Sequence, residues 1–243
     1  MSSPQPVHSW DEPEGIAPRG TLVLLPGRGE HGGVYERFGR RIAADGYRVR
    51  ALGDATLDPA AVTDEAAKLL RDETLPGPRV LVGSDTGASY AAQLVARAAP
   101  GLDALVLAGL PAGPHSIATA PDWESELSQR TACPTHQGQL SADTTFRRRA
   151  LADAPPPELP ALARVTLPVL GLHGADDTVS PLKEARHAYR PFPRAELVSL
   201  AGTRHDVLND VTHRTAAATV VLFLERLRLS PELPSIAATE DLG

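Results

Sequence analysis

The chain has 243 residues, of which 42% are hydrophobic, enough to bury one substantial core at the upper end of single-domain size. Its net charge of -6 excludes a basic nucleic-acid surface, because Arg147-Arg148-Arg149 is the only positive run and reads as a solvated helix face. A single cysteine, Cys133, excludes an intrachain disulfide, and the lack of any apolar run near ~20 residues argues against membrane insertion.

In chain order, Val7 to Trp10 reads as an edge strand and Thr21 to Leu25 as a buried one. A helix is expected over Tyr35 to Ala44, a strand over Tyr47 to Leu52 and a helix over Pro59 to Arg71. The apolar run Arg79 to Val82 is followed by Gly83-Ser84-Asp85-Thr86-Gly87-Ala88 and a helical run from Ala88 to Ala99. This is the pattern of a nucleophile elbow, which holds its middle residue in a strained conformation and needs small residues two before and two after it. Gly83 and Gly87 bracket Asp85. Centring the turn on Ser84 would place the β-branched Val82 and Thr86 where strand and helix nearly touch, so Asp85 is the preferred centre.

A strand follows at Ala104 to Ala108. The interval 111–166 then breaks the alternation with prolines, acidic residues and short amphipathic pieces, and reads as a small helical lid. Trp123, Cys133, His136 and Phe146 within it are candidates to line a substrate pocket. The strand Val169 to Leu172 leads into His173-Gly174-Ala175-Asp176-Asp177, where Asp177 is preferred over Asp176 as an acid able to orient a histidine. A helix is expected from Pro181 to Tyr189 and a strand from Ala195 to Leu200. The loop Gly202-Thr203-Arg204-His205 places a histidine after nucleophile and acid. A long helical run, Val207 to Leu229, precedes a loosely ordered tail over 230–243. Short continuous apolar strands separated by helices indicate an α/β fold, a mostly parallel sheet covered on both faces, in one domain over 1–243.

These three segments together resemble an α/β-hydrolase. Leu25-Pro26-Gly27-Arg28-Gly29-Glu30-His31-Gly32-Gly33-Val34-Tyr35-Glu36-Arg37-Phe38, followed by Ile42-Ala43-Ala44-Asp45-Gly46-Tyr47-Arg48-Val49, is similar to the monoglyceride lipase or lysophospholipase branch. In that branch the segment begins His-Gly rather than Pro-Gly. The resemblance implies an oxyanion hole made by the backbone N–H groups of Arg28 and Thr86 and a catalytic set of Asp85, Asp177 and His205. No zinc spacing or glycine-rich phosphate loop is visible, so no metal and no cofactor are expected, and the expected partner is a small-molecule substrate.

Aspartate in place of serine alters the chemistry. A carboxylate is ionised at neutral pH without help and attacks an sp3 carbon, giving an alkyl ester that His205 and water would hydrolyse. That is the chemistry of haloalkane dehalogenases and epoxide hydrolases. Thr86 stands where dehalogenases carry Trp or Arg, and Tyr35, Tyr47, Tyr90 and Tyr189 all lie outside the lid interval, so neither family's leaving-group apparatus is visible. The residues therefore leave open a hydrolase of a small apolar substrate, a lyase, cyclase or isomerase using Asp85 and His205 as acid and base, or an inactive binding protein. The N-terminal Ser2-Ser3-Pro4-Gln5-Pro6 lacks a leader's apolar run, which suggests a cytoplasmic protein. Lys68 and Lys183 are the only lysines; with abundant Arg, Ala and Pro this suggests a bacterial origin. His8, His31, His115, His173, His187 and His213 show no ligand spacing.

Overall fold

The computed structural model describes residues 5–97, 101–113, 120–238 and 240, so His115 and the end of the helix expected at Ala99 lie outside them. Seven strands form one sheet in the order β1-β3-β2-β4-β5-β6-β7. They are β1 (His8–Trp10), β2 (Gly20–Leu25), β3 (Tyr47–Ala51), β4 (Arg79–Ser84), β5 (Ala104–Ala108), β6 (Val169–Gly174) and β7 (Ala195–Leu200). β1 pairs antiparallel with β3, Ser9 opposite Arg50, and every other pairing is parallel.

Alternation along β2 shows why the sheet needs cover on both sides. Leu22 and Leu24 join one core with Phe38 and Ile42 of α1 (Glu36–Ala44) and Val220 and Phe223 of α8 (His213–Leu229). Val23 and Leu25 join the other with Ala66 and Leu70 of α2 (Pro59–Arg71), Ala88 and Ala92 of α3 (Thr86–Ala96) and Tyr189 of α7 (Leu182–Tyr189). A strand buried on both faces reads as a continuous apolar run, as Leu22 to Leu25 do, and the one polar side chain of β2, Thr21, is buried with its hydroxyl donating to the Pro76 carbonyl.

Between β5 and β6 lie α4 (Trp123–Arg130), α5 (Pro134–Ala142) and α6 (Ala150–Asp153). Asp122 caps α4 by accepting from the Ser125 N–H, and Pro134 opens α5 where its missing N–H costs nothing.

Several strand ends and the start of α7 move by one or two residues, and three helix starts differ in a way that bears on the site. A 3-10 turn, Gly32–Tyr35, precedes α1. α3 starts at Thr86, two residues early. α8 starts at His213 rather than Val207, because the Asp210 carboxylate accepts from the Ala132, Arg204 and Val211 N–H groups and the Thr131 hydroxyl, holding 207–212 as a loop. After α8, the Pro231, Leu233 and Pro234 carbonyls accept from Arg194 and Arg226. No helix among the described residues is long and apolar enough to cross a membrane.

Candidate active site

β4 ends at Ser84, α3 begins at Thr86, and Asp85 between them sits at φ 47°, ψ -123°. That positive φ is costly for a residue with a side chain, and the two glycines make the turn possible. A Cβ on Gly87 would stand 2.1 Å from the Leu25 carbonyl oxygen, and one on Gly83 would stand 2.4 Å from the Ala88 Cα. The strain aims the Asp85 carboxylate at the carboxyl ends of the strands.

His205, in the loop after β7, places Nε2 3.0 Å from Asp85 Oδ1 and Nδ1 2.8 Å from Asp177 Oδ2. Asp177 Oδ1 accepts from the Val179 and Ser180 N–H groups at 2.8 Å, which fixes the carboxylate against the ring; Asp176 is exposed. Gly174 lets the acid turn approach the histidine loop, since a Cβ there would lie 2.2 Å from the Arg204 carbonyl oxygen. Asp85, Asp177 and His205 are 3%, 5% and 1% exposed, so their charges interact with little screening.

Arg28 does more than its backbone implied. Its N–H donates to Asp85 Oδ2 at 2.8 Å, as do its Nε to Oδ2 and its Nη2 to Oδ1, each at 2.8 Å. Its Nη1 reaches the Leu151 and Ala154 carbonyls beside α6. Thr86 contributes its hydroxyl, 3.1 Å from Asp85 Oδ2. Burial alone would raise the Asp85 pKa, but the Arg28 charge and His205 hold it well below the usual carboxylate range. Burial alone would lower His205, yet the charge and hydrogen bond of Asp177, then those of Asp85, push it up to about 10. In this state the ring is an imidazolium between two carboxylates.

Behind Arg28 lies a second set of buried charges. Arg130 Nη2 donates to the Arg28 carbonyl and pairs with Glu126 at 3.0 Å, while its Nη1 is 3.6 Å from both Glu30 and Asp206. Glu30 accepts from the Tyr35 hydroxyl and the Gly27 N–H. Burial, then the nearby Asp206, raises its pKa. Glu30, His136 and Asp206 are the one group among the described residues close enough to share a metal, but the Arg130 guanidinium already fills the cation's place between the two carboxylates.

The pocket candidates separate. Trp123 and Phe146 pack together, ring centres 5.4 Å apart, with Arg148 over the first and Arg130 over the second. Cys133 Sγ is 3.6 Å from Arg37 Nη1, and His136 is 3.3 Å from Asp206. None of the four hydrogen-bonds to Asp85. Sequence reasoning missed the Arg28 side chain and Glu30, Arg130 and Asp206. The available signal was a pair of charges, Arg28 and Glu30, directly after the wholly apolar end of β2.

Solved structures share this fold. A soluble variant of monoglyceride lipase from Saccharomyces cerevisiae superposes with TM-score 0.71 at 16% identity over 91% of each chain. Proline iminopeptidase from Mycobacterium smegmatis gives 0.70 at 18% over 94% of this chain and 99% of that one. The chain has the α/β-hydrolase fold. An esterase from a Rhodococcus species, with TM-score 0.69 at 18% identity over 91% of this chain and 99% of that one, shares the fold. No protein-family model and no curated protein sequence matches the chain.

Proposed function

We propose that this α/β-hydrolase-fold chain hydrolyses a small, apolar substrate through Asp85, with His205 and Asp177 completing the turnover. The observation that carries the reading is the unbroken hydrogen-bonded line Asp177–His205–Asp85 at a strained elbow.

In the first step an Asp85 carboxylate oxygen attacks an sp3 carbon, a C–O bond forms, and the bond to the leaving group breaks with its electrons departing on that group. Arg28 releases one Asp85 oxygen as its guanidinium turns to the developing negative charge, supplying the anion stabilisation that Thr86 and the lid interval lack. The His205 proton departs with the leaving group. Esterified Asp85 is neutral, so one of the two charges that held the imidazolium is gone and the ring becomes a base only after the ester forms. It then takes a proton from water; hydroxide adds to the Asp85 carbonyl, and the oxyanion rests on the Arg28 and Thr86 N–H groups. Collapse expels the alcohol, which takes the proton back from His205.

A second reading, an inactive binding protein, is favoured by the same clamp. Arg28 fills the directions from which Asp85 would be approached, and an ion pair that never opens is purely structural. The two are separated with His205→Ala and a panel of small alkyl halides and epoxides. Under the first reading, wild type turns over a member of the panel, while the variant gains the mass of the alkyl fragment on Asp85. Turnover by wild type with no adduct on the variant would sink the covalent step, and inertness across the panel favours the binding protein.

A further inference from the structure

A cavity of about 340 Å³ lies between the first turn of α1 and α5, lined in part by Val34, Glu36, Arg37, His136, Leu140 and Asp143. Its volume falls within the range of about 300–1,000 Å³ typical of small-molecule sites. None of these six side chains hydrogen-bonds to Asp85, Asp177 or His205.

The charges around the cavity do not cancel. Asp143 is held by His31 at 2.6 Å and Glu36 by Arg40 at 2.7 Å, so both acids have partners. Arg37 makes no ion pair among the described residues. Its Nη1 faces the Cys133 sulfur and its Nη2 donates to the Asn209 carbonyl, and its Nε is buried without a hydrogen-bond partner.

His136 supplies the second observation. The residue is fully buried, its Nε2 faces Asp206, and its Nδ1 has no partner. In the tautomer that donates Nε2–H to the Asp206 carboxylate, Nδ1 is an acceptor that lacks a donor. A half-buried cation without a carboxylate partner and a buried acceptor without a donor both cost free energy.

We propose that this cavity binds a small organic carboxylate that carries a hydroxyl group on a short apolar chain. The carboxylate sits on Arg37, the hydroxyl donates to His136 Nδ1, and the chain lies against Val34 and Leu140. The site stands independently of the hydrolase reading.

The probe is 3-hydroxybutyrate, titrated into the full chain by calorimetry and followed through the His136 ring signals. Saturable binding is expected, weakened by about tenfold or more in Arg37→Gln, where a charge-assisted contact is lost. Leu140→Trp, which fills the cavity while leaving both polar groups in place, should abolish binding, with circular dichroism checking that each variant is folded. On wild type, butyrate should bind more weakly and 1,3-butanediol not at all. Absence of saturable 3-hydroxybutyrate binding, equal affinity for butyrate, or unchanged binding in folded Leu140→Trp would each overturn the assignment.

Discussion

Arg28 and Asp85 neutralise each other where both are nearly without solvent, so neither is tolerable alone. Removing one partner of such a pair typically costs about 3–5 kcal/mol, whereas replacing both can be neutral. Arg28→Met and Asp85→Ser should therefore each destabilise the protein by that order, and the double variant should recover most of the loss. Urea denaturation of the four proteins as a double-mutant cycle reads this directly; simple additivity would mean the pair does not act as a unit. The orienting acid gives a second check at this scale. Asp177→Asn leaves the shape intact but removes the charge facing His205 Nδ1, and a loss of about a thousandfold in kcat is expected by the logic of triads. If Asp176→Asn were the damaging change instead, the acid would be misassigned by one residue.

At the scale of elements, the elbow works because two glycines let α3 pack almost against β2 and β4. Gly87→Ala would drive a methyl group into the Leu25 carbonyl, a rigid obstacle, and should cost several times the ~1 kcal/mol of an average point substitution. Gly138 in α5 is the counterexample. Nothing lies within 4 Å of a Cβ there, so Gly138→Ala should stabilise by about 0.5–1 kcal/mol. Thermal melts of both variants test the pair of signs, and two changes of like sign would contradict the packing described. The same distinction explains what the sequence made legible. β5 lies where its apolar run places it, residue for residue, because a doubly covered strand leaves an uninterrupted signature; β7 also keeps its expected bounds, although as an edge strand it is only part-buried and carries Glu196 and Ser199. The start of α8 was illegible because Asp210 bonds a loop that only tertiary contacts bring to it. The aligned Asp85, His205 and Asp177 could be read from chain order and turn chemistry. The Arg28 side chain could not, since an arginine in a loop ordinarily points to water and nothing local says that Leu151 and Ala154 cover it.

At the scale of the molecule, the buried charges link folding to pH. His205 is pushed up to about 10 from its ordinary 6.5, chiefly against burial by Asp177 and then Asp85, so the folded state holds a proton that the unfolded chain releases. Its contribution to stability is complete below pH 6.5 and disappears as pH rises toward 10. Glu30, raised by burial and by Asp206, also keeps a proton that the unfolded chain gives up, and so works in the same direction. Asp85 works in the opposite sense: held low by Arg28 and His205, it favours the folded state above its ordinary 3.8 and loses that effect as pH falls through its lower folded value. The melting temperature should accordingly peak between mildly acid and neutral pH and decline steadily from pH 6.5 to 10. In His205→Gln, which cannot hold the proton, the decline over that window should become distinctly shallower, because only Glu30 and the ordinary surface groups remain. A wild-type melting temperature that stays flat or rises over the window would mean that His205 is neutral in the folded protein. The ring would then be available as a base before any ester forms on Asp85, and the ordering of proton transfers argued for the turnover would fail with it.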